Sequence, residues 1–113
     1  MTDIVKLTFT CREQDISHWK GISELLAQGK SGVFLQDMLD ELAPNAGDLL
    51  EELFEKVGPS EFYAEYYKQD NTHFMIALLA GNNGAFVAKE MRRLLKALPV
   101  TKTRVTQSCD DAL

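Results

Sequence analysis

The sequence predicts an α+β fold built on a four-stranded, mainly antiparallel sheet. Segments that alternate between apolar and polar residues, as half-buried strands do, occur near both ends of the chain. Segments with apolar residues at helical spacing lie between the strand-like ones. The 113 residues suffice for one hydrophobic core, so a single domain over 1–113 is expected.

The first strand is predicted over residues 4–11, and three helices follow it. In the strand, Val5, Leu7 and Phe9 alternate with polar neighbours and are expected to face the core. The expected bounds of the helices are Asp15 or Ser17 to Gly29, Ser31 to Pro44, and Asn45 to Gly58-Pro59. Trp19 should be a core residue with a satisfied N–H, and the apolar stripe of the second helix should begin at Phe34.

The second half of the chain predicts a hairpin, a helix and a last strand. The hairpin strands are expected over 61–68 and 72–80, with a tight turn at Asp70-Asn71. The segment from Gly81 to Gly84 should cap a helix that stops before Pro99, and the last strand should span 101–109. The order β-ααα-β-β-α-β indicates a ferredoxin-like βαββαβ plan with the helices on one face of the sheet.

Composition and motifs exclude several classes of protein. The net charge of −5 with 45% hydrophobic residues is typical of a globular chain rather than a disordered one. No apolar run is long enough to span a membrane, and no secretory leader is recognised, so a cytoplasmic protein is expected. Cys11 and Cys109 are expected to be free thiols. No metal-ligand spacing, cofactor motif or catalytic signature occurs, so no metal, cofactor or catalytic residue is assigned.

The charge is unevenly distributed along the chain. Residues 37–61 hold eight acidic side chains against Lys56 alone, a net charge of −7. Such a segment favours a non-catalytic protein-binding module that inhibits or masks a basic protein, for example a nuclease. The expected contact residues are Asp37, Asp40, Glu41, Asp48, Glu51, Glu52 and Glu55. A merely solvated acidic face is the alternative.

Residues 89–104 are basic, with a net charge of +5. Their helical cations are Lys89, Arg92, Arg93 and Lys96, which are expected on one solvated face. An acidic segment of a partner or of a second copy is one candidate ligand for this face, so a homodimer remains open. Nucleic acid is disfavoured as a partner because the acidic segment would repel it.

The face of the sheet away from the helices supplies the alternative function, a ligand-binding or enzymatic domain. Tyr63, Tyr67, His73 and Arg104 are expected to converge there, with Glu65 orienting His73 across the hairpin. Such a face could bind a small anion, or it could be covered in a dimer. It lacks the glycine and aromatic pattern of single-strand RNA-binding sheets.

Overall fold

Four strands form one antiparallel sheet in the computed structural model, which describes residues 3–29, 33–57 and 63–109. The strands are β1 (Asp3–Cys11), β2 (Tyr63–Asp70), β3 (His73–Leu79) and β4 (Val100–Cys109), in the sheet order β2-β3-β1-β4. The α-helices of the described ranges are α1 (Ile16–Ala27), α2 (Val33–Leu42), α3 (Ala46–Val57) and α4 (Gly84–Ala97). These elements confirm the predicted α+β class and the antiparallel sheet.

The core lies between the sheet and helices α1 and α4. Val5, Leu7 and Phe9 of β1 are buried, as their alternation predicts. Phe9 packs against Trp19 of α1 and stacks on Phe74 of β3, with ring centroids 4.4 and 5.8 Å away. Burial of aromatic side chains of this size contributes about 1.5–3 kcal/mol each to folding, so this cluster anchors α1 to the sheet.

Helices α2 and α3 complete the core from the helical side. Leu35 and Leu39 of α2 and Leu50 of α3 line a cavity of about 30 Å³ together with side chains of the sheet, α1 and α4. The lining is entirely apolar, which favours a dry packing gap over a ligand pocket. The outer surfaces of α2 and α3 therefore remain available for polar residues.

The hairpin differs from its prediction in the position of its turn and in the phase of β2. The two turn residues are Asn71 and Thr72, and Asn71 takes the left-handed backbone (φ 56°) that asparagine tolerates. Asp70 pairs with His73 and so belongs to the strand. A β-bulge at Glu65, between the pairs of Ala64 and Tyr66, reverses the side-chain alternation after it. The predicted first residues of this strand, 61 and 62, lie outside the described ranges.

Side chains of other secondary-structure elements cap two helices that were expected to be capped locally. The carboxylate of Asp40 in α2 accepts a hydrogen bond from the Gly47 N–H of α3 (2.8 Å). The carboxylate of Asp3 in β1 accepts one from the Gly84 N–H at the start of α4 (3.0 Å), whereas the N-cap residue Asn83 makes no side-chain bond. The expected cap Ser31 and the stop Gly58-Pro59 lie outside the described ranges.

The first helix begins at one of its two predicted caps, Asp15, but this residue makes no capping hydrogen bond. A 3-10 turn over Glu13–Asp15 precedes α1. Asp15 instead accepts a hydrogen bond from Arg12 Nε at 2.7 Å. Within the described ranges, no helix has the length and apolar character that crossing a bilayer requires.

Candidate functional site

The acidic residues predicted as a contact surface lie on the outer surfaces of α2 and α3, and all of them are exposed. We call these residues the acidic helical face: Asp37, Asp40, Glu41, Asp48, Glu51, Glu52 and Glu55. Both helices are amphipathic, so turning leucines toward the core necessarily turns these carboxylates outward.

Three carboxylates of this face have partners within the molecule. Asp40 caps α3, Glu41 hydrogen-bonds His18 of α1, and Glu52 lies 3.9 Å from Arg93 of α4. The described residues provide no hydrogen-bond or ion-pair partner for the other four. These are Asp37, Asp48, Glu51 and Glu55.

Phe34 is the residue of this surface that the sequence pattern misplaced. It was expected to begin the apolar stripe of α2, yet 79% of it is exposed, the largest exposed fraction among the large apolar residues described. Its neighbour Leu35, which was predicted in the same stripe, is buried as expected. Phe34 precedes Asp37 by three residues, so both lie on one side of the helix. An exposed aromatic ring thus borders the acidic helical face.

The basic helix is less free than its predicted solvated face suggests. Arg93 lies 3.1 Å from the carboxylate of Glu90, which is buried, and also near Glu52. Arg92 donates a hydrogen bond to the Val105 carbonyl at 3.3 Å. Part of the positive charge of α4 therefore balances acidic groups of the same molecule.

The other candidate surface is the face of the sheet opposite to the core residues Val5, Leu7 and Phe9, which we call the open face. Its side chains form four rows, each taken across β2, β3, β1 and β4 in turn. The rows are Tyr63, Leu79, Ile4 and Ser108; Tyr66, Ala77, Lys6 and Thr106; Lys68, Met75, Thr8 and Arg104; and Asp70, His73, Thr10 and Thr101. Cross-strand neighbours in one row have Cβ atoms about 4.5–5.5 Å apart, so side chains on adjacent strands of a row contact each other.

The prediction that Tyr63, Tyr67, His73 and Arg104 converge is wrong. Because of the bulge at Glu65, Tyr67 turns to the helical side and donates its hydroxyl hydrogen bond to Glu24 of α1. This hydrogen bond raises the pKa of Tyr67 above its ordinary value, with a smaller contribution from burial. Tyr63 and Arg104 do lie on the open face, but in its first and third rows, while His73 lies in the fourth.

The predicted role of Glu65 is also wrong. His73 has Asp70 and Thr10 as its neighbours across the strands, and its Nδ1 is 2.8 Å from the Thr10 hydroxyl. The expected N–H partner of Trp19 is missing as well. The indole Nε1 and the buried Ser23 hydroxyl lack hydrogen-bond partners among the described residues.

A groove of about 780 Å³ lies on the open face at its hairpin end, and we call it the hairpin groove. The open-face residues that line it are Thr8, Thr10, Lys68, Asp70, His73 and Met75, joined by Lys102 of β4. Phe9, Gln69 and Phe74, which alternate with them and turn to the helical side, also line it. Lys102 lies in a second β-bulge, opposite Phe9, and takes a left-handed backbone conformation (φ 52°). Sequence reasoning missed Lys68 as a lining residue, because the bulge in β2 that turns Lys68 to the open face has no sequence signal.

Three further features bear on the chemistry of the described residues. Cys11 is a buried free thiol, and burial, followed by the nearby charge of Asp15, raises its pKa, so it is a poor nucleophile. The start of α4, where an anion could have bound, is occupied by the Asp3 carboxylate. Within the described part of the chain, no three His, Cys, Asp or Glu residues lie close enough to hold a metal ion.

Comparisons of this chain with protein-family models, with curated proteins and with solved structures found no match.

Proposed function

We propose that this protein is a non-catalytic binding module that masks a basic protein, for example a nuclease or another nucleic-acid-binding protein, through the acidic helical face. The observation that carries the proposal is the exposure of all seven carboxylates on one pair of helices, four of them without a described partner. Fixed carboxylates on a helical scaffold attract a basic surface and raise the rate of encounter with it.

Phe34 supports a stable complex in addition to a fast encounter. Charge at the rim of an interface contributes mostly to association rate, whereas aromatic side chains buried at its centre contribute most of the affinity. With 79% of Phe34 exposed beside Asp37, the surface combines an apolar anchor with a negative rim. A partner with cations around an apolar pocket would match it.

We further propose that the fold follows a ferredoxin-like βαββαβ plan in which α1, α2 and α3 together form the first crossover. The order β2-β3-β1-β4 with antiparallel neighbours supports this plan. The insertion of two helices would then be the means by which the chain builds the acidic helical face. The buried free thiol of Cys11 is compatible with a reducing, cytoplasmic location.

The proposal is tested by parallel capture from the native lysate with the wild-type protein and matched charge variants. The test variant combines Asp48→Asn, Glu51→Gln and Glu55→Gln, which removes three carboxylates of α3 that have no partner among the described residues. The control combines Glu13→Gln, Glu65→Gln and Asp70→Asn, an equal charge change at exposed positions outside α2 and α3. A basic protein should bind the wild type and the control, and lose about tenfold or more in affinity for the test variant.

Two further measurements make the test sharper. Phe34→Ala should accelerate dissociation of the captured protein, because aromatic anchors act mainly on the dissociation rate. Increasing salt should slow association, because screening weakens the attraction between exposed charges. The proposal is contradicted by a partner that binds both triple variants with equal affinity. It is also contradicted by a partner whose association rate does not change with salt concentration.

A further inference from the structure

We propose that the hairpin groove binds a small organic oxyanion, a phosphate or carboxylate carried on an apolar or aromatic body. This site lies on the opposite side of the sheet from the acidic helical face and does not depend on the function proposed for that face. Three features support this site: the charge of the open face, the hydroxyl and imidazole groups in the groove, and the apolar surface beside them.

Charge identifies the ligand as an anion. Although the chain carries a net charge of −5, the four rows of the open face hold Lys6, Lys68 and Arg104 against Asp70 alone. Lys102 adds a further cation at the edge of the groove. None of these four cations forms an ion pair with a described residue, in contrast to Arg93 on α4. Their positive field is therefore not neutralised within the described molecule.

Hydrogen-bonding groups in the groove suit an oxyanion. Thr8 lies beside Arg104 in one row, and Thr10 lies beside His73 in the next. The Thr10 hydroxyl and the His73 Nδ1 are 2.8 Å apart, so each fixes the orientation of the other. Hydroxyls and cations spaced over two adjacent rows can donate to several oxygens of one phosphate or carboxylate, and such charge-assisted hydrogen bonds are the strong ones.

The adjoining surface suits an apolar or aromatic body. Met75, in the row between Lys68 and Thr8, is half-buried at the floor of the groove. The next row places Tyr66, 37% exposed, beside the fully buried Ala77. The Lys68 ammonium lies 6.0 Å from the centre of the Tyr66 ring, so a cation and an aromatic surface adjoin. The groove is shallow and open to solvent, and its volume of about 780 Å³ leaves room for a small molecule.

The test is a titration of the 113-residue chain with defined probes, in which the chemical shifts of the backbone amides report binding. The probes are phenyl phosphate, benzoate, inorganic phosphate and uncharged phenol. Phenyl phosphate or benzoate should shift the amides of Thr8, Thr10 and His73 with a dissociation constant of about a millimolar, as expected for fragments. Inorganic phosphate and phenol should each bind more weakly, because inorganic phosphate lacks the aromatic ring and phenol lacks the oxyanion. Whichever aromatic anion binds more tightly identifies the oxyanion.

Variants separate a specific groove from general attraction to positive charge. The variant Lys68→Gln with Lys102→Gln should weaken binding about tenfold, since both lysines line the groove and each substitution removes a charged donor. The matched control, Lys89→Gln with Lys96→Gln, removes two exposed cations of α4 and should leave the affinity unchanged.

Four outcomes would overturn the proposal. One is the absence of amide shifts on the open face when the probe concentration is about ten times the expected dissociation constant. Equal weakening by both double variants would mean nonspecific attraction. Binding of a thymidine oligonucleotide over the whole face, without binding of the aromatic anions, would assign the face to nucleic acid. Shifts of open-face amides on raising the protein concentration alone would assign it to a second copy of this chain.

Discussion

The helical side and the open side of this molecule use their charges in opposite ways. On the helical side, Arg93 lies between Glu90 and Glu52, and Asp40 caps a neighbouring helix. On the open side, Lys68 and Arg104 have no ion-pair partner among the described residues. Charges of the first kind stabilise the fold, whereas charges of the second kind remain available to a ligand. Exposure alone does not distinguish them, because both kinds lie at the surface.

The largest expected contrast lies between two adjacent residues of β3. Phe74 points to the helical side, where it stacks on Phe9, while Met75 lies at the floor of the hairpin groove. Phe74→Ala should lower the free energy of unfolding by about 3–5 kcal/mol, because it removes a fully packed ring and leaves a cavity. Met75→Ala should cost about 1 kcal/mol or less, because half-exposed side chains lose fewer contacts.

Urea denaturation of the two variants measures this contrast directly. A large loss for Met75→Ala would mean that the open face is covered in solution, for example by a second copy. In that event the loss should depend on protein concentration, since dissociation would accompany unfolding.

The second contrast sets a structural cation against a free one. Arg93→Gln leaves the buried Glu90 carboxylate without its partner and should cost about 1–3 kcal/mol. Arg104→Gln on the open face should change stability by no more than about 0.5 kcal/mol. Adding Glu90→Gln to Arg93→Gln should restore much of the loss, because no unpaired charge then stays buried. Equal effects of the two arginine variants would contradict the proposed division of roles.

The residues that were predicted correctly from the sequence owe their positions to local periodicity. Val5, Leu7 and Phe9 are buried because a strand places alternate side chains on one face, whatever it pairs with. The carboxylates of α2 and α3 are exposed because the leucines of those helices need the core. Both patterns are visible in a single stretch of sequence.

The features that could not be predicted depend on pairing between distant segments. The bulge at Glu65 follows from the register of β2 on β3, and Glu65 is not a residue that marks a bulge. One inserted residue exchanged Tyr67 for Tyr66 on the open face and so altered the predicted ligand site. Lys102 likewise takes a left-handed backbone conformation, which a lysine in the sequence does not predict.

The third contrast falls within the acidic helical face itself. Asp40→Ala removes the cap that accepts the Gly47 N–H and should cost about 1 kcal/mol. Asp37 lies on the same helix but has no described partner, so Asp37→Ala should change the free energy of unfolding by no more than about 0.5 kcal/mol. Thermal unfolding of both variants measures the difference. If Asp37→Ala cost as much as Asp40→Ala, Asp37 would be a structural residue rather than a free contact residue.

The smallest contrast compares the neighbouring tyrosines on opposite sides of the bulge. Tyr67 donates a hydrogen bond to Glu24, which raises its pKa, whereas Tyr66 lies on the open face. Tyr67→Phe should cost about 0.5 kcal/mol near neutral pH, because the bond is close to solvent and therefore screened. Tyr66→Phe should be neutral.

The pH dependence of stability distinguishes the two tyrosines further. The folded protein holds the Tyr67 proton more tightly than the unfolded chain does, so this contribution is fully present below the ordinary tyrosine pKa of about 10. It is lost as the pH rises through the raised pKa of the folded state. The wild type and Tyr66→Phe should therefore lose stability above about pH 10 more steeply than Tyr67→Phe. If Tyr66→Phe flattened the alkaline decline instead, the bulge would place the other tyrosine against α1, and the open-face rows would have to be redrawn.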